Sequence, residues 1–532
     1  MADERWQQAR LIPTSGINGP EEAERRATSA MLAVMGSVRE FGSAIVRSLG
    51  APAGQLATYI ETPFAFGEQK VFPDGLLETS RGARTWTCLV EVKTGSSELE
   101  RAQVECYLDV AREQGFDCVL TISNQMAPAP GVHPVDVDRR KTRRVELHHL
   151  SWAEVLTVAV QQRVHRGVSD PDQAWILGEL IRYLEHPKSG ALDFSDMGSA
   201  WVTIRESINA GTLRSNDKWL PEVVSRWEQL LRFAALRLGR ELGADVQVQL
   251  SRRELAEPAI RFAVQTESLV SRGVLFGTLR IPDAVAPVDI AADLRAGKVT
   301  VSADIDAPRD GRAATRVNWL TRQLRDAPDG LRIDAFAANS RSSTSALLRV
   351  VREDAGVLIA DPKRELRTFR IAASSPVGAK RGVGRGGFID SVLASIDGFY
   401  ASVVQQMRPW AAKAPQLPPR GETAIEAAGI DIAPPPQDLQ DIASSELVSP
   451  PGAQSEPAEV VEGAGSVSAE ATLADSPAHP VDPVDELVSW DGAHERLEHE
   501  RAFDIPTSSS NPVAAQDQPD PSVRETDSSQ GQ

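Results

Sequence analysis

Apolar residues recur with two different periods along the first part of the chain. Between positions 20 and 50, Ala27, Met31, Val34, Met35 and Val38 fall at helical spacing and Gly50 supplies a stop, so one or two helices are expected. The segments LATYIETPF and EQKVFPDGLLE alternate as strands do, and TWTCLVEVKTG is apolar enough to be buried on both faces. Ser97, Glu98, Leu99 and Glu100 have the form of a capping box. It should open a helix with Leu99, Ala102, Cys106 and Val110 on its inner side, ended by Gly115. A second buried strand, FDCVLTIS, a polar loop, the strand RVELHHLSW and the helix WAEVLTVAVQQRV complete this part. The order of helix, strands, helix, strand, strand, helix predicts an α/β sheet flanked by helices.

The patterning then changes. DQAWILGELIRYLEH and KWLPEVVSRWEQLLRFAALRLGREL read as helices, the second with a broad apolar face of Leu220, Val223, Val224, Trp227, Leu230, Leu231 and Leu238. Alternating segments follow, DVQVQL, IRFAVQ, VLFGTLRI and KVTVSADI, then a helix, RVNWLTRQLRDA, and the strands LRIDAFA, ALLRVVRE and TFRIAAS. The stretch FIDSVLASIDGFYASVVQQMRPW closes the folded part with a helix. This is the signature of an α+β domain with an antiparallel sheet, and it carries no chemical motif. The basic glycine run at 379–387 does not have the pattern of a phosphate-binding Walker loop.

Composition alters the picture mainly at the C-terminal end. The net charge is -17, but from residue 411 onward there are 23 Asp and Glu against 5 Lys and Arg, leaving 51 acids and 52 bases before it. That tail holds 16 of the 35 prolines and few aromatic residues, so it is expected to be disordered. A lone apolar island around Trp490 could form a short helix on a protein partner. With no apolar run of roughly 18 residues and no leader-like start, the chain reads as cytoplasmic. Cys88, Cys106 and Cys118 lack metal-type spacing and read as reduced core residues.

One feature of the apolar strand is chemical. Side chains alternate along a strand, so Glu91 and Lys93 project to the same side while Val92 goes to the other. Asp74 ends the preceding strand, and a hairpin of this length returns Glu91 beside it. Two adjacent carboxylates repel each other unless a divalent cation lies between them, and oxygen ligands suit magnesium or manganese rather than zinc. Lys93 beside such an ion could orient or deprotonate a water, or neutralise a phosphate oxygen in a transition state. The opposed reading is a plain cross-strand ion pair.

Pro73 and Asp74, then Glu91, Val92 and Lys93 on a core strand, then a helix with Gln103 and Tyr107 one turn apart, resemble the PD-(D/E)xK, or restriction-endonuclease-like, nuclease superfamily. The resemblance covers less than a third of the chain. It implies a Mg2+ or Mn2+ site held by Asp74 and Glu91 with the Val92 carbonyl, and Lys93 as the catalytic lysine. Gln103 and Tyr107 resemble the QxxxY element of exonuclease-type members and would support the site or touch DNA. A glutamate of the first helix often joins the metal, and Glu24 is the choice here, with Glu22 and Glu40 as competitors.

Basic residues near these motifs are the candidate DNA contacts: Arg81 and Arg84 in the hairpin loop, and Arg139, Arg140, Lys141, Arg143 and Arg144 before the strand VELHHL. A solvated charge run is the alternative meaning of the second group. His148 and His149 alternate across their strand and read as structural or surface residues. The expectation is therefore a nuclease-like domain at 1–165, a helical connector at 166–243, an α+β domain of unknown role at 244–410 and an acidic tail at 411–532. The function expected is metal-dependent hydrolysis of DNA, in repair or defence, with RNA as a further possible substrate. A catalytically inactive nuclease-fold interaction module is the alternative.

Overall fold

The computed structural model describes residues 11–12, 19–127, 131–191, 194–340, 342–378 and 386–412. The acidic tail, its island around Trp490 and most of the basic glycine run lie outside the described residues, as do the expectations attached to them. The described residues all fall within one compact unit, Met1–Pro419.

Helices α1 (Pro20–Ser37) and α2 (Arg39–Ser48) meet at 106° across Val38. They lead to β1 (Gln55–Ile60), a small hairpin of β2 (Phe64–Phe66) and β3 (Gln69–Val71), and then β4 (Gly75–Arg81) and β5 (Arg84–Val92). Helix α3 (Arg101–Gln114) crosses over to β6 (Cys118–Ser123); β7 (Glu146–Ser151) runs directly into α4 (Trp152–Val160), and α5 (Pro171–Leu184) follows. The five-stranded sheet has the order β1-β4-β5-β6-β7, antiparallel between β1, β4 and β5 and parallel between β5, β6 and β7. Its β4/β5 hairpin is symmetric about Gly82 and Ala83, pairing Gly75 with Val90 at one end and Arg81 with Arg84 at the other.

Both faces of this sheet are covered, which is why its central strands are apolar at successive positions. Leu77, Cys88, Val90 and Leu120 pack under α1, α2, α4 and α5, while Leu89 and Val119 pack under α3 and the β2/β3 hairpin. Gly75 is required where α1 crosses the sheet, since a Cβ there would lie 2.4 Å from Leu32 Cδ1. The three cysteines are free; Cys88 and Cys118 are buried cross-strand neighbours and Cys106 is partly exposed.

Helices α6 (Trp201–Asn209) and α7 (Leu220–Leu242) precede a seven-stranded antiparallel sheet. It opens with β8 (Gln247–Val248), is interrupted by α8 (Arg252–Ala256) and α9 (Pro258–Arg272), and continues with β9 (Val274–Arg280), β10 (Val288–Asp293) and β11 (Lys298–Asp306). Then come α10 (Ala313–Gln323), β12 (Arg332–Ala337), β13 (Ser343–Leu347), α11 (Leu348–Glu353), β14 (Leu366–Pro376) and α12 (Phe388–Ser402). The strand order is β13-β12-β14-β11-β10-β9-β8. The molecule is thus mixed α/β, and no single helix among the described residues is long and apolar enough to cross a membrane.

Several local expectations are corrected. The capping box at Ser97 does not form: α3 starts at Arg101, Glu100 is its N-cap without a side-chain cap, and Ala102 is exposed, although Gly115 does end the helix in the left-handed conformation at φ 74. IRFAVQ is not a strand but part of α9, and ALLRVVRE is divided between β13 and α11. The segment 166–243 is shared between the two cores rather than standing apart from them: α5 packs into the first and α6 and α7 into the second.

The two sheets are joined through α4 and α7. Thr157 donates to the Leu236 carbonyl at 3.5 Å, Gln161 to Gly239 and Ala244 at 3.3 and 3.1 Å, and Arg232 to Glu154 at 2.6 Å. Glu154 also closes the Ser151 capping box of α4. Replacing Glu154 with Ala should therefore lower the unfolding free energy in urea by about 3 kcal/mol, because it leaves a partly buried guanidinium without its partner and removes the cap. The Glu154→Gln variant should lose less, since it can keep the hydrogen bonds.

Candidate active site

The symmetry of the β4/β5 hairpin carries past its last pair and puts Asp74 opposite Glu91. Asp74 is fixed in that position, since its Oδ2 accepts from the Val92 amide at 2.8 Å and its carbonyl accepts from Glu61 at 3.2 Å. The Lys93 backbone is held on both sides: its amide donates to Ile122 at 2.7 Å and its carbonyl accepts from Trp152 Nε1 at 2.9 Å. The strand end that carries Glu91, Val92 and Lys93 is thus anchored to β4, β6 and α4 at once.

Glu91 is 1% exposed. Lys93 Nζ lies 2.6 Å from its Oε1, an ion pair whose geometry leaves that oxygen buried without a directed hydrogen bond. Burial first and the neighbouring Asp74 charge second push the Glu91 carboxyl up to about 8, against the opposing pull of Lys93. Lys93 also donates to Glu24 Oε1 at 3.3 Å. Burial works against the Lys93 charge, but Glu91, Glu24 and Asp74 outweigh it and hold the ammonium above its ordinary value. Glu24 is itself raised, by burial foremost.

Of the three glutamates considered on the first helices, only Glu24 reaches this place. Glu22 pairs with Arg26 at 2.7 Å and Glu40 accepts from Ser169. Glu24 faces Lys93, however, and among the described residues no group of three or more His, Cys, Asp or Glu side chains is arranged to hold a metal ion. On α3, Gln103 donates to the Tyr107 hydroxyl at 3.3 Å, and that hydroxyl donates to the Phe72 carbonyl at 3.4 Å. Burial, followed by the charges of Glu91 and Asp74, raises the Tyr107 phenol, which places Tyr107 beside the acids.

The basic residues expected beside the acids are elsewhere. Arg81 and Arg84 close the hairpin at its opposite end, six residues from Gly75 and so about 20 Å along the strand. The run Arg139, Arg140, Lys141, Arg143 and Arg144 precedes β7, whose first residue, Glu146, pairs with Cys118, whereas Glu91 pairs with Thr121. The run itself lies against α3, where the Asp138 amide donates to Glu105 Oε1 at 3.1 Å and Lys141 is ion-paired with Asp109. Sharing a hairpin with the acids placed Arg81 and Arg84 at the wrong end of it.

Three residues beside the acids escaped the sequence reading. Thr121, next to Glu91 across the β5/β6 ladder, lies 2.9 Å from His149 Nδ1 and 2.8 Å from His133 Nε2. His149 Nε2 lies 2.7 Å from the Gln125 carbonyl, to which it must donate, so its Nδ1 accepts from the Thr121 hydroxyl. Burial lowers His149 to about 4, so it is a neutral structural member of the sheet, while His148 pairs with Glu146 on the surface. Trp152, which anchors the Lys93 carbonyl, gave no signal beyond opening an apolar helix. No protein-family model matches the sequence, and no curated protein matches it.

Glu91 makes stability depend on pH in a defined sense. Its folded value lies above its ordinary 4.5, so the folded state keeps a proton that the unfolded chain releases, and its contribution falls as pH rises from 4.5 through about 8. The lowered His149 acts oppositely, but only between about 4 and its ordinary 6.5. In metal-free buffer the melting temperature should therefore fall between about pH 6.5 and about pH 8, and Glu91→Gln should flatten that slope. An identical slope in both proteins contradicts this assignment.

Proposed function

We propose that the chain is a divalent-metal-dependent nuclease that hydrolyses DNA phosphodiester bonds, with a restriction-endonuclease-like sheet in its N-terminal half. The observation that carries this reading is the buried Glu91 carboxyl held against Asp74, with the Lys93 ammonium 2.6 Å from its Oε1. Two acids held together in a buried place repel each other, and a divalent cation between them offsets that repulsion more fully than one ammonium does. The donors are hard oxygens, which suit Mg2+ or Mn2+. Asp74 and Glu91 would hold the ion with the Val92 carbonyl, and water and substrate oxygens would fill the remaining positions, as magnesium sites commonly allow. The ion, when bound, supplies Lewis acidity and a more acidic water.

The chain's own residues have separable roles. Lys93, between Glu91 and Glu24, keeps its proton at neutral pH, so it serves as a fixed cation toward a phosphate oxygen rather than as a base. Glu24 orients that ammonium. Gln103 and the Tyr107 hydroxyl are bonded to each other and to the Phe72 carbonyl beside Glu91, and support the site from within. Repair and defence against foreign DNA are roles such an activity would serve, and RNA is a second possible substrate that competition with DNA of matched length would separate.

A second reading, a nuclease fold that has lost catalysis and acts as a binding module, is favoured by one observation. Lys93 is already engaged by two carboxylates, and the three-acid cluster is missing among the described residues. Incubation of linear and circular DNA with the full chain distinguishes the two. Cleavage should require Mg2+ or Mn2+, stop with EDTA, and fall by about a hundredfold or more in Asp74→Ala and Lys93→Ala. Cleavage that persists in both variants, or none by the wild type with either metal, overturns the nuclease reading.

A further inference from the structure

Arg81 and Arg84 lie at the far end of the hairpin, and Arg25 beside the site is paired with Glu61 at 3.6 Å, which turns attention to the apolar groups next to the acids. Three of the exposed large apolar side chains lie at this end of the first sheet: Tyr59 at 47%, Ile60 at 51% and Phe72 at 55% exposure. Tyr59 pairs with Leu76, which pairs with Leu89, and side chains in register share a face. Since Leu89 and Glu91 are two residues apart on β5, Tyr59 lies on the Glu91 face of the sheet. It is on the outermost strand, about 7 Å along the strand direction from the level of Asp74. Ile60 is one residue on and belongs to the other face.

Phe72 is two residues before Asp74, and its carbonyl is the group that accepts from Tyr107. The chain reverses after Ile60 through Glu61, which has a φ of 49. The Glu61 amide is bonded to the Asp74 carbonyl at 3.2 Å, which ties the end of β1 to the acid. Both aromatic residues are thus fixed to the backbone of the site while their rings remain in solvent. Aromatic rings in solvent beside a site hold unpaired bases by stacking, because every base has a face that stacks.

We infer that Tyr59 and Phe72 form a stacking platform for the bases of single-stranded DNA, positioning the strand so that a phosphate reaches Asp74, Glu91 and Lys93. This rests on the nuclease reading and narrows its substrate to unpaired strands or frayed ends. In a duplex the base faces are occupied by neighbouring pairs and are closed to such a platform. The platform residues are positioning residues; they do not reach the reacting atoms.

The test is fluorescence anisotropy of the full chain with labelled oligo(dT) of about 20 nucleotides, a blunt duplex of equal length, an abasic strand and oligo(U), with Ca2+ in place of Mg2+. Oligo(dT) should bind most tightly. Tyr59→Ala and Phe72→Ala should each weaken its binding by about tenfold and leave the duplex and abasic strand unaffected, and Tyr59→Phe and Phe72→Trp should restore it. Equal binding by wild type and alanine variants, a preference for the duplex, or tighter binding of oligo(U) overturns the inference. So does a change in oligomeric state in the alanine variants without a change in oligo(dT) binding, which would make the rim a contact between copies. Cleavage with Mg2+ is read separately. Stacking-dependent binding without cleavage removes the nuclease reading and leaves the platform, whereas cleavage indifferent to both aromatic residues does the reverse.

Discussion

Glu91 is a carboxylic acid 1% exposed, in contact with a second acid, near the end of a strand whose last five residues are buried. Burying such a group is costly unless charge or hydrogen bonds compensate it, and the surrounding structure is organised around that need. Lys93 supplies the nearest positive charge, and Glu24 on α1 keeps the lysine from swinging into solvent. Asp74 spends one oxygen on the Val92 amide, which fixes its distance from the strand. Trp152 and Ile122 immobilise the backbone that carries Lys93. The Glu91 Oε1 that Lys93 approaches makes no directed hydrogen bond, so the ammonium compensates it by charge.

The buried acid is carried by a firmly packed support. The first sheet is packed on both faces, and its helix α4 is clamped to α7 of the second core by Glu154, Thr157 and Gln161. A rigid support of this kind lets a few residues depart from their most stable protonation state, which is how sites are commonly accommodated in otherwise consistent structures. The second sheet has its own device for order at an open edge. Gln265 of α9 accepts from the Phe276 amide at 3.3 Å and donates to its carbonyl, continuing the pairing of β9 beyond the reach of the two-residue β8.

That device also shows where sequence reasoning failed. The buried face of α9 consists of Arg261, Gln265, Ser268 and Leu269, at helical spacing but mostly polar, while the apolar Ile260, Phe262 and Val264 alternate as a strand would. Hydrophobic periodicity sees the wrong set. Glu91 and Lys93 were legible because an acid and a base two positions apart on an apolar strand must share a face, and Asp74 because the hairpin length returns it. The position of Arg81 and Arg84 was in principle legible by the same arithmetic. A hairpin centred on Gly82 and Ala83 that joins Asp74 to Glu91 has its turn, and those bases, at the far end. Thr121 and His133 were not legible, because their proximity to Glu91 comes from parallel register and from a loop whose course no local pattern specifies.

The account depends on the buried acid pair being a place for a cation rather than a structural ion pair. The most direct measurement is a calorimetric titration of the full chain with Mn2+, in the presence of oligo(dT) so that substrate oxygens are available, beside the Glu91→Gln variant. The account predicts saturable binding by the wild type that is lost in the variant. Binding of equal strength in both, or none in either, would contradict it and leave Glu91, Lys93 and Glu24 as a charge network that only stabilises the fold.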